Sequence, residues 1–398
     1  MKICIAGKND IAVNILEYLI LKGVDKSNIF VCCNRTETGL NSWQKSLRFF
    51  AKKYNIREIE LIEAYEIENL IFISLEFDRI VRPEKFKTKK LFNIHFSLLP
   101  KYKGMYTSAL PILNNESITG CTFHRIDSGI DTGEIIAQRS IIIDFEDTSR
   151  DIYSKYISNG TTLVKDVIDK YLEKDFECDS YPQNAYESSY FSKKTIDYSN
   201  LTINLNTTAL SIHNQIRAFN FREYQLPCVF GKKIRCTDIL NIRSTEKPGT
   251  ILWMSDSVIC ISTIDYDTVL YVDMFDKVIE YCKNNDIENL KKIENISYYV
   301  NERTENGWTP LIIATYNGFY DIAMYLISKG ADIKQVNNNG TNLLMYSKEA
   351  YCKTGNKKLF EFYLSKGLDP YKSDWRGLNL IDYCKRQKIT SIGSFVIN

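Results

Sequence analysis

Histidine is scarce in this chain: three in 398 residues, at His95, His124 and His213. No run of ~18 apolar residues exists, which excludes a membrane-spanning helix. Net charge is lacking too. The chain has 51 Lys+Arg against 49 Asp+Glu, leaving +2, so it carries no electrostatic footprint of a general nucleic-acid binder. Neither nucleic acid nor membrane is expected as a partner. Only 8 prolines and 18 glycines occur, while aromatics reach 13%; collagenous and disordered classes are excluded. The 11 cysteines are odd in number and scattered, Cys32 and Cys33 are adjacent, and no C-x-x-C pair exists. With an opening MKICIAGKND too short for a secretory apolar segment, free thiols in a cytoplasmic protein are expected. No cysteine–histidine cluster offers a metal site.

What is present is length enough for two to three domains. The apolar run 2–6 stops at Gly7, and Ile11, Ile15, Leu16 and Leu19 then recur at helical spacing until Gly23. Strand-like runs follow at 28–33, 60–62, 70–75 and 92–95, with a helix predicted over 43–54. Further strands are predicted at 118–125 and 134–143, and a long helix at 148–173. Alternation of strands and helices points to βαβ units. Residues 176–205 read as a junction, 212–219 as a short helix, and 226–270 alternate as antiparallel strands do.

After residue 272 a phrase repeats: Asn306-Gly307-Trp308-Thr309-Pro310-Leu311, Asn339-Gly340-Thr341-Asn342-Leu343-Leu344, and Arg376-Gly377-Leu378-Asn379-Leu380-Ile381. The spacings are 33 and 37 residues. Thr309 and Pro310 suit a helix start. The pattern resembles the ankyrin repeat, in three or four degenerate units. Trp308 and Trp375 then fall at hairpin tips, where exposed aromatics offer an accessory site that grips a protein or stacks a nucleotide base; tip-to-tip packing or contact with the N-terminal domain is the competing reading.

The chemistry-bearing stretch is Asn93-Ile94-His95-Phe96-Ser97-Leu98-Leu99-Pro100-Lys101-Tyr102-Lys103-Gly104, followed by His124-Arg125-Ile126-Asp127-Ser128-Gly129-Ile130-Asp131-Thr132-Gly133. Asn93 and His95 are two apart, so on a strand both project to one face. An amide donor beside an imidazole can hold an oxyanion and accept a proton, with Asp131 orienting the ring. On the residues alone, a pair of hydrogen-bonded loop side chains is an equal reading.

The two phrases resemble the signature of the 10-formyltetrahydrofolate-dependent formyltransferases, over about residues 1–240. Phe96, and the absence of Pro after Gly104, depart from the family pattern. The resemblance implies a Rossmann-like α/β core with a mixed sheet, a small β-rich subdomain and an all-α ankyrin domain. The expected division is 1–180 catalytic, 181–271 a linker helix and antiparallel subdomain forming a homodimer surface, and 272–398 ankyrin. It implies Asn93, His95 and Asp131 as the catalytic set; His124, standing alone, reads as a structural bridge between strand and turn near Asp131, with direct catalysis the lesser alternative. The formyl donor would be 10-formyltetrahydrofolate, with no metal, its pterin resting on Phe77, Arg79, Ile80 and Val81; Ile80 and Val81 read equally as core.

Among acceptor branches, the opening Ile-Ala-Gly7-Lys8-Asn9 and the stretches 190–199 and 216–219 resemble dTDP-amino-sugar formyltransferases. That implies Lys8 and Asn9 near a pyrophosphate, Glu76 facing the amino sugar, and Ser97 and Tyr102 as further substrate contacts. Phe221 or Tyr224 would stack the thymine, or pack the junction. Arg217 would buttress that segment or meet a phosphate. A formyltransferase joined to ankyrin repeats most resembles the branch acting on dTDP-3-amino-3,6-dideoxyglucose for O-antigen and lipopolysaccharide synthesis. Acceptance of dTDP-4-amino-4,6-dideoxyglucose and a non-catalytic ankyrin scaffold are the alternatives.

Overall fold

The computed structural model describes residues 1–396. The chain divides into two compact units, Met1–Leu40 with Gln44–Val272, and the short stretch Asn41–Trp43 with the residues from Asp273 on.

The first unit is built on strands β1 (Lys2–Gly7), β2 (Ile29–Cys33), β3 (Arg57–Glu58), β4 (Leu70–Leu75), β5 (Leu91–His95), β6 (Lys103–Gly104), β7 (Ile118–Arg125) and β8 (Ile135–Ile142). Seven of these form one sheet in the order β3-β2-β1-β4-β5-β7-β8. The first five run parallel; β7 and β8 are antiparallel, with Asn93 directly opposite His124. β1, β2 and β4 are almost wholly buried, as parallel strands covered on both faces must be. Phe92 and Phe123 stack across β5 and β7 at 5.5 Å, each ring contributing roughly 1.5–3 kcal/mol of burial.

Helix α1 (Asn9–Leu21) buries Ile11, Ile15, Leu16 and Leu19. Helix α2 (Leu47–Tyr54) starts later than the periodicity predicts, because Ser46 Oγ accepts from the Phe49 N–H at 3.0 Å and sets the start there. The strand expected at 60–62 is instead the opening of α3 (Leu61–Glu66); the Glu63 carboxylate accepts from the Glu60 N–H, and pairing with β2 is confined to β3. After the short α4 (Leu110–Leu113) comes α5 (Ser149–Tyr171), begun by a reciprocal Thr148–Asp151 capping box, worth about 1 kcal/mol.

Between 176 and 205 lies β9 (Tyr190–Phe191), which pairs with β6. Helix α6 (Ala209–Ala218) packs Ile212 and Ile216 on a five-stranded antiparallel sheet. Its strands are β10 (Cys228–Val229), β11 (Lys232–Ile239), β12 (Ile251–Met254), β13 (Val258–Ile261) and β14 (Thr268–Val272), in the order β10-β11-β14-β13-β12.

The second unit is helical: α7 (Phe275–Lys283), α8 (Ile287–Lys291), α9 (Pro310–Asn317), α10 (Tyr320–Ser328), α11 (Leu343–Thr354), α12 (Lys358–Ser365) and α13 (Leu380–Arg386). Thr309, Asn342 and Asn379 each cap a helix from the same place in the repeated phrase. The tryptophans are not exposed tips. Trp308 is half-buried between Tyr316 and Tyr346, both at 5.1 Å. Trp375 is half-buried against Gly340, where an added Cβ would lie 2.8 Å from the indole. The tips pack on neighbouring repeats, because apolar rings beside tyrosines and bare backbone are withdrawn from water.

Candidate active site

A cavity of about 750 Å³ opens where β1, β4 and β5 end, the edge at which open α/β sheets place ligands. Lys8, Ser74, Glu76, Asn93 and His95 line it from those strand ends. The strap at β6 and the 126–131 turn close the other side.

Asn93, His95 and Asp131 converge there. His95 Nδ1 lies 3.4 Å from Asp131 Oδ2, and Asn93 Nδ2 lies 3.4 Å from Asp131 Oδ1. The Tyr102 carbonyl, 2.8 Å from His95 Nε2, can only accept, so Nε2 carries the proton and Nδ1 faces the carboxylate with its lone pair. Burial, with only 7% of His95 exposed, holds its pKa below the ordinary 6.5 against the opposing pull of Asp131. Burial alone would raise the Asp131 carboxyl, but the charge of a protonated His95, first among the opposing groups, and the Gly104 N–H at 3.0 Å bring it down to about 2. Asp131 adopts φ +54°; Gln183 Nε2 donates to the carbonyls of Asp131 and Gly133 at 2.9 and 2.8 Å and steadies that turn. His124 bridges the β7 strand and the Asp131 turn, its Nε2 3.0 Å from Asn93 Nδ2 and 3.6 Å from Asp131 Oδ1.

The strap explains the Tyr-Lys-Gly phrase. The Tyr102 carbonyl takes His95 and the Gly104 N–H takes Asp131. Gly104 has φ +89°, and a Cβ there would sit 2.3 Å from the Phe191 carbonyl oxygen, so no other residue fits.

A second cluster lies in the same wall. The Glu76 carboxylate accepts from Asn9 Nδ2 at 3.1 Å and from the Tyr153 hydroxyl at 2.9 Å. Burial raises the Glu76 pKa, while Tyr153, Asn9 and the Lys8 charge oppose the shift. Asn34 pins the loop beyond, donating to the Glu76 carbonyl at 2.8 Å and accepting from the Asp78 N–H.

Of the loop residues expected at the pterin, Phe77, Arg79, Ile80 and Val81 all line the cavity. Ile80 is 78% exposed, so it is not core. The Arg79 guanidinium lies over the Phe77 ring and is turned to the Cys33 carbonyl, 2.8 Å away.

Several expected substrate contacts are corrected by the structure. Ser97 is fully buried, its Oγ donating to the Lys101 carbonyl at 2.7 Å; it locks the turn. The Tyr102 side chain is buried on Phe191 and bonded to Glu116 and Asn114; only its backbone serves the site. Arg217 is buried on Asn214 and on the carbonyls of Asp144 and Asp147, so it is a buttress, out of a phosphate's reach. Phe221 is buried between Tyr153 and Tyr224, leaving Tyr224 as the exposed ring. Asn9 faces Glu76 rather than standing free. Sequence reasoning missed Tyr153, whose place beside the α5 apolar stripe was the one available signal. It also missed Gln183, which sits in an irregular stretch without any.

Comparison with known proteins identifies the family and the fold. Residues 1–168 match the formyl transferase family, and residues 278–374 match ankyrin repeats in three copies. The N-formyltransferase from Helicobacter canadensis, solved with folinic acid and dTDP-3-aminofucose, is 45% identical with a TM-score of 0.64, over 69% of this chain and 100% of that one. WlaRD, a sugar 3N-formyl transferase solved with dTDP and 5-N-formyl-THF, is 44% identical with a TM-score of 0.63, over 68% and 97%. The methionyl-tRNA formyltransferase of Fervidobacterium nodosum is 28% identical over 234 residues, 55% of this chain and 72% of that protein. Fold and site thus define a one-carbon transferase of Rossmann-like architecture. The chain belongs to the formyltransferase family, in its sugar N-formyltransferase branch, and carries ankyrin repeats in addition.

Proposed function

We propose that the protein moves a formyl group from 10-formyltetrahydrofolate to the amine of a dTDP-linked amino-dideoxy sugar, dTDP-3-amino-3,6-dideoxyglucose first among them. The observation that carries this reading is the meeting of Asn93 and His95 with Asp131, each at 3.4 Å, in one cavity. Both relatives at 44–45% identity were solved with a formylated folate and with dTDP or a dTDP-3-amino sugar, which favours the 3-amine over the 4-amine.

The residues fit the donor. Phe77, Ile80 and Val81 offer an apolar ledge on a loop held by Asn34, in a cavity of the size small-molecule sites have. A folate bearing an N10 formyl group supplies an activated one-carbon carbonyl. Asn93 then donates its N–H to the formyl oxygen as charge builds on it, a contact whose loss costs ~2.7–4 kcal/mol of barrier. His95 Nδ1 takes the proton released as the amine nitrogen bonds to the formyl carbon, ionised Asp131 stabilises the resulting imidazolium, and that proton is returned to N10 as the bond between N10 and the formyl carbon breaks and tetrahydrofolate leaves. Lys8 and the start of the 13-residue α1 suit a diphosphate. Tyr224 suits a thymine, and Glu76, held by Asn9 and Tyr153, suits the sugar.

The same reading keeps residues 1–180 for the chemistry, 181–271 as a homodimer surface and 272–398 for an accessory protein or nucleotide-sugar ligand, with the product entering O-antigen assembly. The test is incubation with 10-formyltetrahydrofolate and a panel of dTDP-3-amino and dTDP-4-amino hexoses, read by mass. One added carbonyl unit on the 3-amino sugars is expected. Modification of the 4-amino sugars alone would move the assignment, and no product from any would overturn it.

A further inference from the structure

An asparagine amide can present either edge to the same place. Only the N–H edge can hold an oxygen that is becoming negative; the carbonyl edge would repel it. At Asn93 the choice is set by what stands opposite. Asp131 Oδ1 is an acceptor, but at 3.4 Å it is a weak one. The closer neighbour is His124 Nε2, at 3.0 Å, and a ring nitrogen is donor or acceptor according to its tautomer.

That tautomer is determined on the far side of the ring. His124 Nδ1 lies 2.8 Å from the Arg125 carbonyl oxygen, which can only accept, so Nδ1 bears the proton. In the neutral ring Nε2 is then a bare lone pair and demands a donor. His124 is 2% exposed and sits directly across the strand pair from Asn93. A register shift of β7 against β8 falls between Phe123 and His124, the kind of irregularity that re-aims a side chain beside a site. His95 has the opposite arrangement, with its proton on Nε2.

We propose that His124 is a positioning residue: as the Nδ1–H tautomer it holds Asn93 with the amide N–H edge toward the site where the formyl oxygen must sit. One Asn93 hydrogen stays on His124, and the long contact to Asp131 is exchanged for the substrate oxygen. This rests on the reading of Asn93 as the oxyanion donor.

Kinetics of Asn93→Ala, His124→Leu, His124→Gln and the Asn93→Ala/His124→Leu double variant test both levels separately. Asn93→Ala should lower kcat by roughly 10²–10³; an unchanged kcat would remove the underlying reading. His124→Leu should lower kcat by about tenfold or more while both KM values stay within about threefold. His124→Gln, which keeps an acceptor, should recover most of the rate. In the Asn93→Ala background His124→Leu should cost nothing further, since a residue acting through another is non-additive with it. Multiplying losses, or an effect on KM alone, would overturn the proposal. Nitrogen-15 spectra of the intact protein at pH 8 give a measurement independent of these variants, with only three histidines to assign. The proton should lie on Nδ1 of His124 and Nε2 of His95; an Nε2–H or doubly protonated His124 would overturn the inference.

Discussion

With its Nε2–H bound to the Tyr102 carbonyl, His95 has one ring nitrogen left for chemistry, and Asp131 faces it. Replacing His95 by Asn removes the proposed proton acceptor while leaving a polar group of similar reach. Turnover should fall by 10² or more with the circular dichroism spectrum unchanged. In the role proposed for His95 as proton acceptor, the active form is the neutral ring. Because burial lowers the His95 pKa below 6.5, the log kcat/KM profile should show an enzyme break below pH 6.5, distinct from the higher break of the substrate amine, and His95→Asn should abolish the lower break alone; a lower break that survives this substitution would contradict the assignment. Glu76→Gln keeps the size of the side chain but removes its charge beside Lys8, and should raise the sugar KM more than it lowers kcat. These residues differ in how readable they were. Asn93, His95 and Asp131 stand in two phrases with characteristic spacing. Glu76 and Tyr153 meet across 77 positions of chain, and no local pattern announces such a meeting. Ser97 and Tyr102 belong to the same phrase yet serve its turn, since a motif records what the backbone needs as well as what the ligand touches.

At the scale of elements, hydrophobic period located the strands well, and β7 occupies the expected span Ile118–Arg125. The misplacements came where caps decide. Ser46 and Glu63 set helix starts through single hydrogen bonds that leave no trace in an apolar pattern. Exposure of Trp308 was inferred from its place in the repeat, whereas its flanking Tyr316 and Tyr346 close over it. The strap offers a sharp test. Gly104→Ala forces a Cβ to within 2.3 Å of the Phe191 carbonyl oxygen. It should destabilise the fold by more than about 1 kcal/mol in denaturant titration and lower kcat at least tenfold, because the fastening of both His95 and Asp131 shifts.

For the whole molecule, acid sensitivity follows from three buried groups. His95 and His213 are both held below the ordinary 6.5, chiefly by burial. A depressed native pKa contributes stability that is complete above 6.5 and is lost as pH falls through the native value. Asp131, lowered from 3.8 to about 2, adds stability complete above 3.8 and lost between 3.8 and about 2. Amide exchange in β5 and α6 should therefore be pH-independent in protection from about 8 to 6.5, weaken below that, and weaken again under pH 3.8. Protection that increased on acidification would contradict the burial of both rings.

The pairing of β6 with β9 has a consequence for how such an enzyme can change. Tyr190 and Lys193 help to wall the cavity, and Tyr190 and Phe191 are also the rail to which the Tyr102–Gly104 strap is tied. An acceptor leaning on that wall leans on the fastening of the proton acceptor itself. On the proposed function, choice of acceptor and speed of transfer therefore share one piece of scaffolding, and a change to this wall resets both.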